Sequence, residues 1–284
     1  MPDSISPRGG EQPACVPKSA RRMFCAAARR AARWFTTLLC LGSLALPAAG
    51  DSPAMPEHRM VADSDGTYLH VAHYRPPGPP SGVVLLIHDW GSSGSQCWGS
   101  LAGEIAAAGF EVIVPDLPGH GRSLVPELLQ PVPSVPSRAD AVGMGRRAAA
   151  WLSLAEAPSA LAAVACVGWA GLLLPHLLGE TVDLHAIVWV APPGDPRTSD
   201  LESSEAMPPF LLVASQEDVA GSRVAEALFS RFNARAELRV FRRGPAGCGL
   251  LALQPVRAGL LAWLRETLSA AARVSTPAAG RPAP

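Results

Sequence analysis

Beyond roughly residue 57, short continuous apolar runs alternate with longer amphipathic ones. Val83–His88 (Val-Val-Leu-Leu-Ile-His), Leu161–Val167, Leu184–Ala191 and Pro209–Ala214 read as strands buried on both faces, because each is an unbroken apolar stretch of strand length. Glu111–Pro115 and Ala236–Phe241 add two more. Arg59–Ser64 and Tyr68–Tyr74 flank Asp65-Gly66, a hairpin signal that predicts an antiparallel pair at a sheet edge. Helical periodicity covers Gln96–Ala108, Asp140–Ala155, Gly171–Leu178, Gly221–Phe232 and Pro255–Ala272. Buried strands alternating with helices predict a doubly wound, mostly parallel α/β sheet with helices on both faces. A ligand site then belongs at the carboxyl ends of the strands. The pattern gives one domain over residues 51–273 and a disordered Ala/Pro/Gly-rich tail over 274–284.

The first 50 residues follow a different pattern. An arginine cluster precedes the apolar run Trp34–Leu46, which passes into small residues at Pro47–Gly50: the three-part layout of a secretory signal peptide. At 13 residues the run is shorter than the roughly 20 a bilayer-spanning helix needs. Cleavage near Gly50 or Asp51 and export to the periplasm or outside are expected; an uncleaved N-terminal membrane anchor is the alternative. Residues 1–22 read as an unstructured preface, so Met23 is a second candidate start.

Charge and cysteine narrow the function classes. The formal net charge is zero, but residues 1–50 hold seven of the 24 Lys+Arg and two of the 24 Asp+Glu, leaving the rest mildly acidic. That gives no basic footprint for nucleic acid. Cys97, Cys166 and Cys248 lie beyond the leader, enough for one bridge at most with one thiol left over. No His/Cys/Asp spacing suggests a metal site, and nothing implies a cofactor.

Three loops carry a resemblance. His88-Asp-Trp-Gly-Ser-Ser-Gly94 follows a strand, Asp116-Leu-Pro-Gly-His-Gly-Arg-Ser123 is a Gly/Pro turn, and Val167-Gly-Trp-Ala-Gly171 joins a strand to a helix. Together with Leu211–Asp218 and Gly244–Gly249 they resemble the α/β-hydrolase fold family over about residues 57–268. The first looks like that family's His-Gly oxyanion loop with Asp89 in place of glycine, the second its Asp-x-x-Gly-x-Gly-x-Ser turn, the third its nucleophile elbow.

The resemblance implies serine chemistry: a hydroxyl activated by histidine, a carboxylate orienting that histidine, and backbone amides holding the oxyanion. Carried over residue by residue, the nucleophile position falls on Ala170, the histidine on Cys248 and the acid on Asp218. The oxyanion amides fall on Gly171 with Trp90 or Asp89. Alanine has no attacking atom, Cys248 has no imidazole, and Leu172 replaces a glycine of the elbow. The expectation is therefore a non-catalytic hydrolase homologue that binds an apolar small molecule or a protein on its old active-site face, with Trp90 and Trp169 lining the pocket. Asp218 reads equally as a helix cap. The competing class is an active hydrolase using Cys248, paired with His88 or His120, or a water activated by Asp218 or Asp116. About 17 residues separate Ala191 from Pro209, too few for a helical lid, so the pocket is expected to be shallow and open.

Overall fold

The computed structural model describes residues 55–63, 66–123, 133–156, 161–180, 182–195, 197–198, 201 and 207–275, all within the compact unit Asp51–Pro284. The expected signal peptide, preface and tail from residue 276, together with Asp65 of the hairpin, Pro126 and Pro131 of the proline-rich loop and part of the 192–208 connection, lie outside the described residues.

Eight strands form one sheet: β1 Glu57–Ala62, β2 Tyr68–Tyr74, β3 Val83–Ile87, β4 Glu111–Pro115, β5 Ala162–Val167, β6 Leu184–Val190, β7 Phe210–Ser215 and β8 Ala236–Phe241. Their order is β1-β2-β4-β3-β5-β6-β7-β8. β1 pairs antiparallel with β2, and β2 antiparallel with β4, while all pairings from β4 to β8 are parallel. The predicted edge hairpin and doubly wound sheet are thus both present.

The unbroken apolar runs follow from the layers. Alternate residues of β5 face opposite cores: Val164 and Cys166 on one side, Ala163, Ala165 and Val167 on the other. The first core is closed by α2 (Arg138–Leu152), α3 (Leu174–Leu178) and α4 (Val219–Phe232), the second by α1 (Gly94–Ala107) and α5 (Gln254–Ser275). Ser93 caps α1 through Gln96 N–H, and Ser137 with Asp140 forms a reciprocal capping box that starts α2 two residues before the predicted boundary.

The helix predicted over Gly171–Leu178 is only half formed. A 3₁₀ segment, Gly168–Leu173, comes first, and only Leu174–Leu178 is α-helical. Gly168 has φ of +55°, which turns the chain sharply off β5 before any α-helical turn can start.

The chain winds from β3 to β4 in one direction and onward from β5 in the other, so the reversal lies between β3 and β5. Their register pairs Ile87 with Cys166, which brings the residues just beyond, Asp89 and Gly168, opposite each other.

One carboxylate ties the loops around this point. Asp116, 4% exposed, accepts from Gly94 N–H at 2.7 Å, Arg122 N–H at 2.9 Å and His70 Nδ1 at 2.9 Å. The Ser123 hydroxyl donates to Asp116 O at 2.8 Å and accepts from His70 N–H at 2.8 Å. The Asp-x-x-Gly-x-Gly-x-Ser turn therefore fastens β2, the end of β4 and the start of α1 together. Removing this acceptor strands two buried donors, Gly94 N–H and His70 Nδ1–H, and the half-buried Arg122 N–H, so Asp116→Ala is expected to cost about 3–5 kcal/mol and Ser123→Ala about 1 kcal/mol, measured by urea unfolding.

Candidate functional site

The elbow's apex is Gly168, two residues before the position given by sequence. Its left-handed backbone is the strained strand-to-helix conformation, and Ala170 is instead fully buried in the core beneath α2. The residue that points out of this turn has no side chain. Counting from Gly168, Cys166 and Ala170 are the small residues two positions to either side, so Leu172 is not a misfit in the turn.

Trp189 supports the turn from below. Its indole Nε1–H donates to Gly168 O at 2.9 Å, and its ring fills the space where a Cβ on Gly171 would sit. Gly171 is thus a packing glycine, and its amide is not one of the oxyanion donors expected from sequence. The donor on this side is Trp169 N–H, the amide directly after the apex.

That amide is already engaged. Trp169 N–H donates to Asp89 Oδ1 at 2.9 Å. The amide that follows the elbow's apex thus holds an internal carboxylate. Desolvation pushes the Asp89 carboxyl above its usual range, with the Trp169 amide opposing the shift. Asp89 is also clasped sterically: a Cβ on Gly168 would collide with Oδ1, and a Cβ on Gly247, whose φ is +61°, would lie 2.6 Å from Oδ2.

Cys248 is neither a free thiol nor a histidine substitute. It is bonded to Cys97 in the first turns of α1, 151 positions away in sequence and with 4.9 Å between Cα atoms. The sulfur is consumed, which removes Cys248 as a nucleophile. Cys166 is the free cysteine among the described residues, fully buried, and burial pushes its thiol up.

Asp218 is the N-cap of α4, its carboxylate accepting from Gly221 N–H at 3.0 Å. Its neighbour Glu217 reaches the other loop, accepting from Gly244 N–H at 3.0 Å. The two acids that follow β7 are therefore both spent on backbone amides, and sequence reading singled out only the first.

Nor do the nearby histidines serve as bases. His88 is fully buried, and its Nε2 accepts from Leu117 N–H at 2.9 Å, which leaves the proton on Nδ1 to donate to Asp89 O at 2.8 Å. Burial holds it down at about 4, with the Asp89 backbone bond opposing. His120 donates from Nδ1 to Pro118 O at 2.9 Å and meets the Trp90 ring edge-on at 4.7 Å. Burial lowers it as well. No Cys-His pair exists at this site.

The two tryptophans flank the elbow and the early loop, both half-buried, and each is fixed. Trp90 Nε1–H donates to Pro133 O at 2.6 Å, and the Arg197 guanidinium lies 5.6 Å over the Trp169 ring. Arg197 is anchored in turn by Asp195 Oδ1 at 2.9 Å and Pro136 O at 2.6 Å. Among the described residues no cluster of three metal-ligating side chains occurs.

The comparisons with known proteins agree with the fold. No family model matches the chain. The haloalkane dehalogenase of Psychrobacter cryohalolentis is 29% identical over 195 residues, covering 63% of this chain. The chain matches only 59% of that relative's length. Similar solved structures include a lipase in its open form (TM-score 0.61, 14% identity, 75% of this chain and 98% of that one). A CIB-like hydrolase of Thermoplasma acidophilum gives a TM-score of 0.59 at 16% identity over 75% and 99% of the two chains. An esterase of Pyrococcus furiosus gives 0.54 at 14% over 76% and 94%.

The site makes a direct prediction. Gly168→Ser alone must strain a left-handed backbone and displace Asp89, so it is expected to lose about 2 kcal/mol or more in urea unfolding. Adding Asp89→Gly should recover at least half of that loss, because the two side chains compete for one space.

Proposed function

Since the chain has the α/β-hydrolase fold but turns its elbow on a glycine, we propose that it is a non-catalytic hydrolase homologue whose old active-site face binds a ligand or a partner. The observation that carries this reading is the Asp89 carboxylate on the Trp169 amide, directly after the elbow's apex. A tetrahedral oxyanion needs that donor free and a nucleophile about 3 Å away. Here the donor is taken by a carboxylate of the protein's own, and Gly168 supplies no attacking atom. The remaining machinery points the same way: Asp218 caps a helix, His88 is locked neutral, and Cys248 is in a disulfide.

The protein acts after export. The tripartite leader supports this, and so does the Cys97–Cys248 bond, since structural disulfides persist in oxidising compartments. Peptide mapping of the native protein treated with iodoacetamide is expected to leave Cys97, Cys166 and Cys248 unlabelled. Label on Cys97 or Cys248 before reduction would remove the support from the disulfide. Cys97→Ser is expected to cost about 2–5 kcal/mol, given so long a closed loop.

The dehalogenase relative keeps an active hydrolase as the competing class. Assay of a p-nitrophenyl ester panel and of halide release from short haloalkanes distinguishes the two. Rates within twofold of buffer are expected throughout; turnover well above buffer that disappears in Asp89→Asn or Asp218→Ala overturns the non-catalytic reading.

A further inference from the structure

The Asp89 carboxylate differs from the buried acids of the fold. Asp116 has His70 beside it and Glu111 has His73 at 2.8 Å, whereas no cationic side chain among the described residues pairs with Asp89. Backbone amides orient toward a carboxylate but carry no net charge, so the negative charge at the elbow stays uncompensated. It lies at the switch point of the sheet, where the fold places a ligand, and it is only partly buried.

The surroundings offer what a cation needs. The amide that holds Asp89 belongs to Trp169, whose ring face already carries a guanidinium in Arg197, and a second indole, Trp90, follows Asp89 directly in the chain. Beyond Trp90, the buried Nε2 of His120 has no hydrogen-bond partner among the described residues. With its Nδ1–H spent on Pro118 O, that nitrogen is an acceptor. A carboxylate, a bare imidazole nitrogen and indole rings all favour a donor-bearing positive group and disfavour an anion.

We propose that Asp89, Trp90 and Trp169 form a binding site for a small organic cation, an ammonium or guanidinium group on an apolar body. The inference rests on the reading of this face as a binding face. It inverts the electrostatic preference of the elbow amide: the donor that would select an oxyanion serves to hold the counter-charge for a cation.

Titration of the full protein at pH 7.5 with benzylammonium, benzyl alcohol and benzoate tests this by calorimetry. These three probes share a ring and differ in charge. Benzylammonium is expected to bind at least tenfold more tightly than benzyl alcohol, with benzoate weakest, and Asp89→Asn should reduce benzylammonium binding at least tenfold. Equal binding of benzoate, or benzylammonium binding unchanged in Asp89→Asn, overturns the proposal. Should the variant fail to fold, NMR on the unaltered protein decides: benzylammonium must shift the indole N–H signals of Trp90 and Trp169, and shifts confined to other tryptophans overturn it. The ester and halide assays judge the non-catalytic reading separately, because turnover lost in Asp89→Asn would sink that reading while the order of the three affinities still reports on the cation site.

Discussion

Asp89 and any side chain at position 168 would occupy the same space. The register of β3 against β5 sets this, since pairing Ile87 with Cys166 leaves the next outward positions facing each other across the switch point. This chain resolves the crowding with a carboxylate on the loop and glycine at the elbow. With Asp89 in place, its bond from Trp169 N–H and the approach of Gly247 make any side chain at 168 a concerted change.

What surrounds the site is nonetheless intact. Asp116 still ties β2, the end of β4 and the start of α1, Ser123 still closes its turn, and Trp189 still supports the elbow through Gly168 O. These bonds stabilise the fold whatever the chemistry, because each satisfies a buried polar group that would otherwise cost free energy. The acids that follow β7 do the same, Asp218 accepting from Gly221 N–H and Glu217 from Gly244 N–H.

The sheet and most helices were readable from sequence because buried parallel strands are continuous apolar runs, and the Asp116 turn because its glycines and serine have fixed offsets. The elbow was located to within two residues. Val167-Gly-Trp-Ala-Gly171 contains two glycines, and composition does not say which one takes the positive φ; strand pairing does. Asp89 was visible as a departure at the oxyanion loop, but its role needed the position of Trp169 N–H, 80 residues away. The disulfide was equally hidden. Three cysteines allow three pairings, and only the closed sheet, which brings α1 beside the loop after β8, selects Cys97 with Cys248.

That bond also orders events in time. Cys97 is made early and Cys248 late, with five of the eight strands between them. In any order of synthesis from the N-terminus, Cys166 is made before Cys248. A bond between Cys97 and Cys166 would link α1 to the interior of the opposite core. Burial of Cys166 within β5 withholds that thiol, so closure of the sheet as well as the spacing of cysteines favours the native pairing.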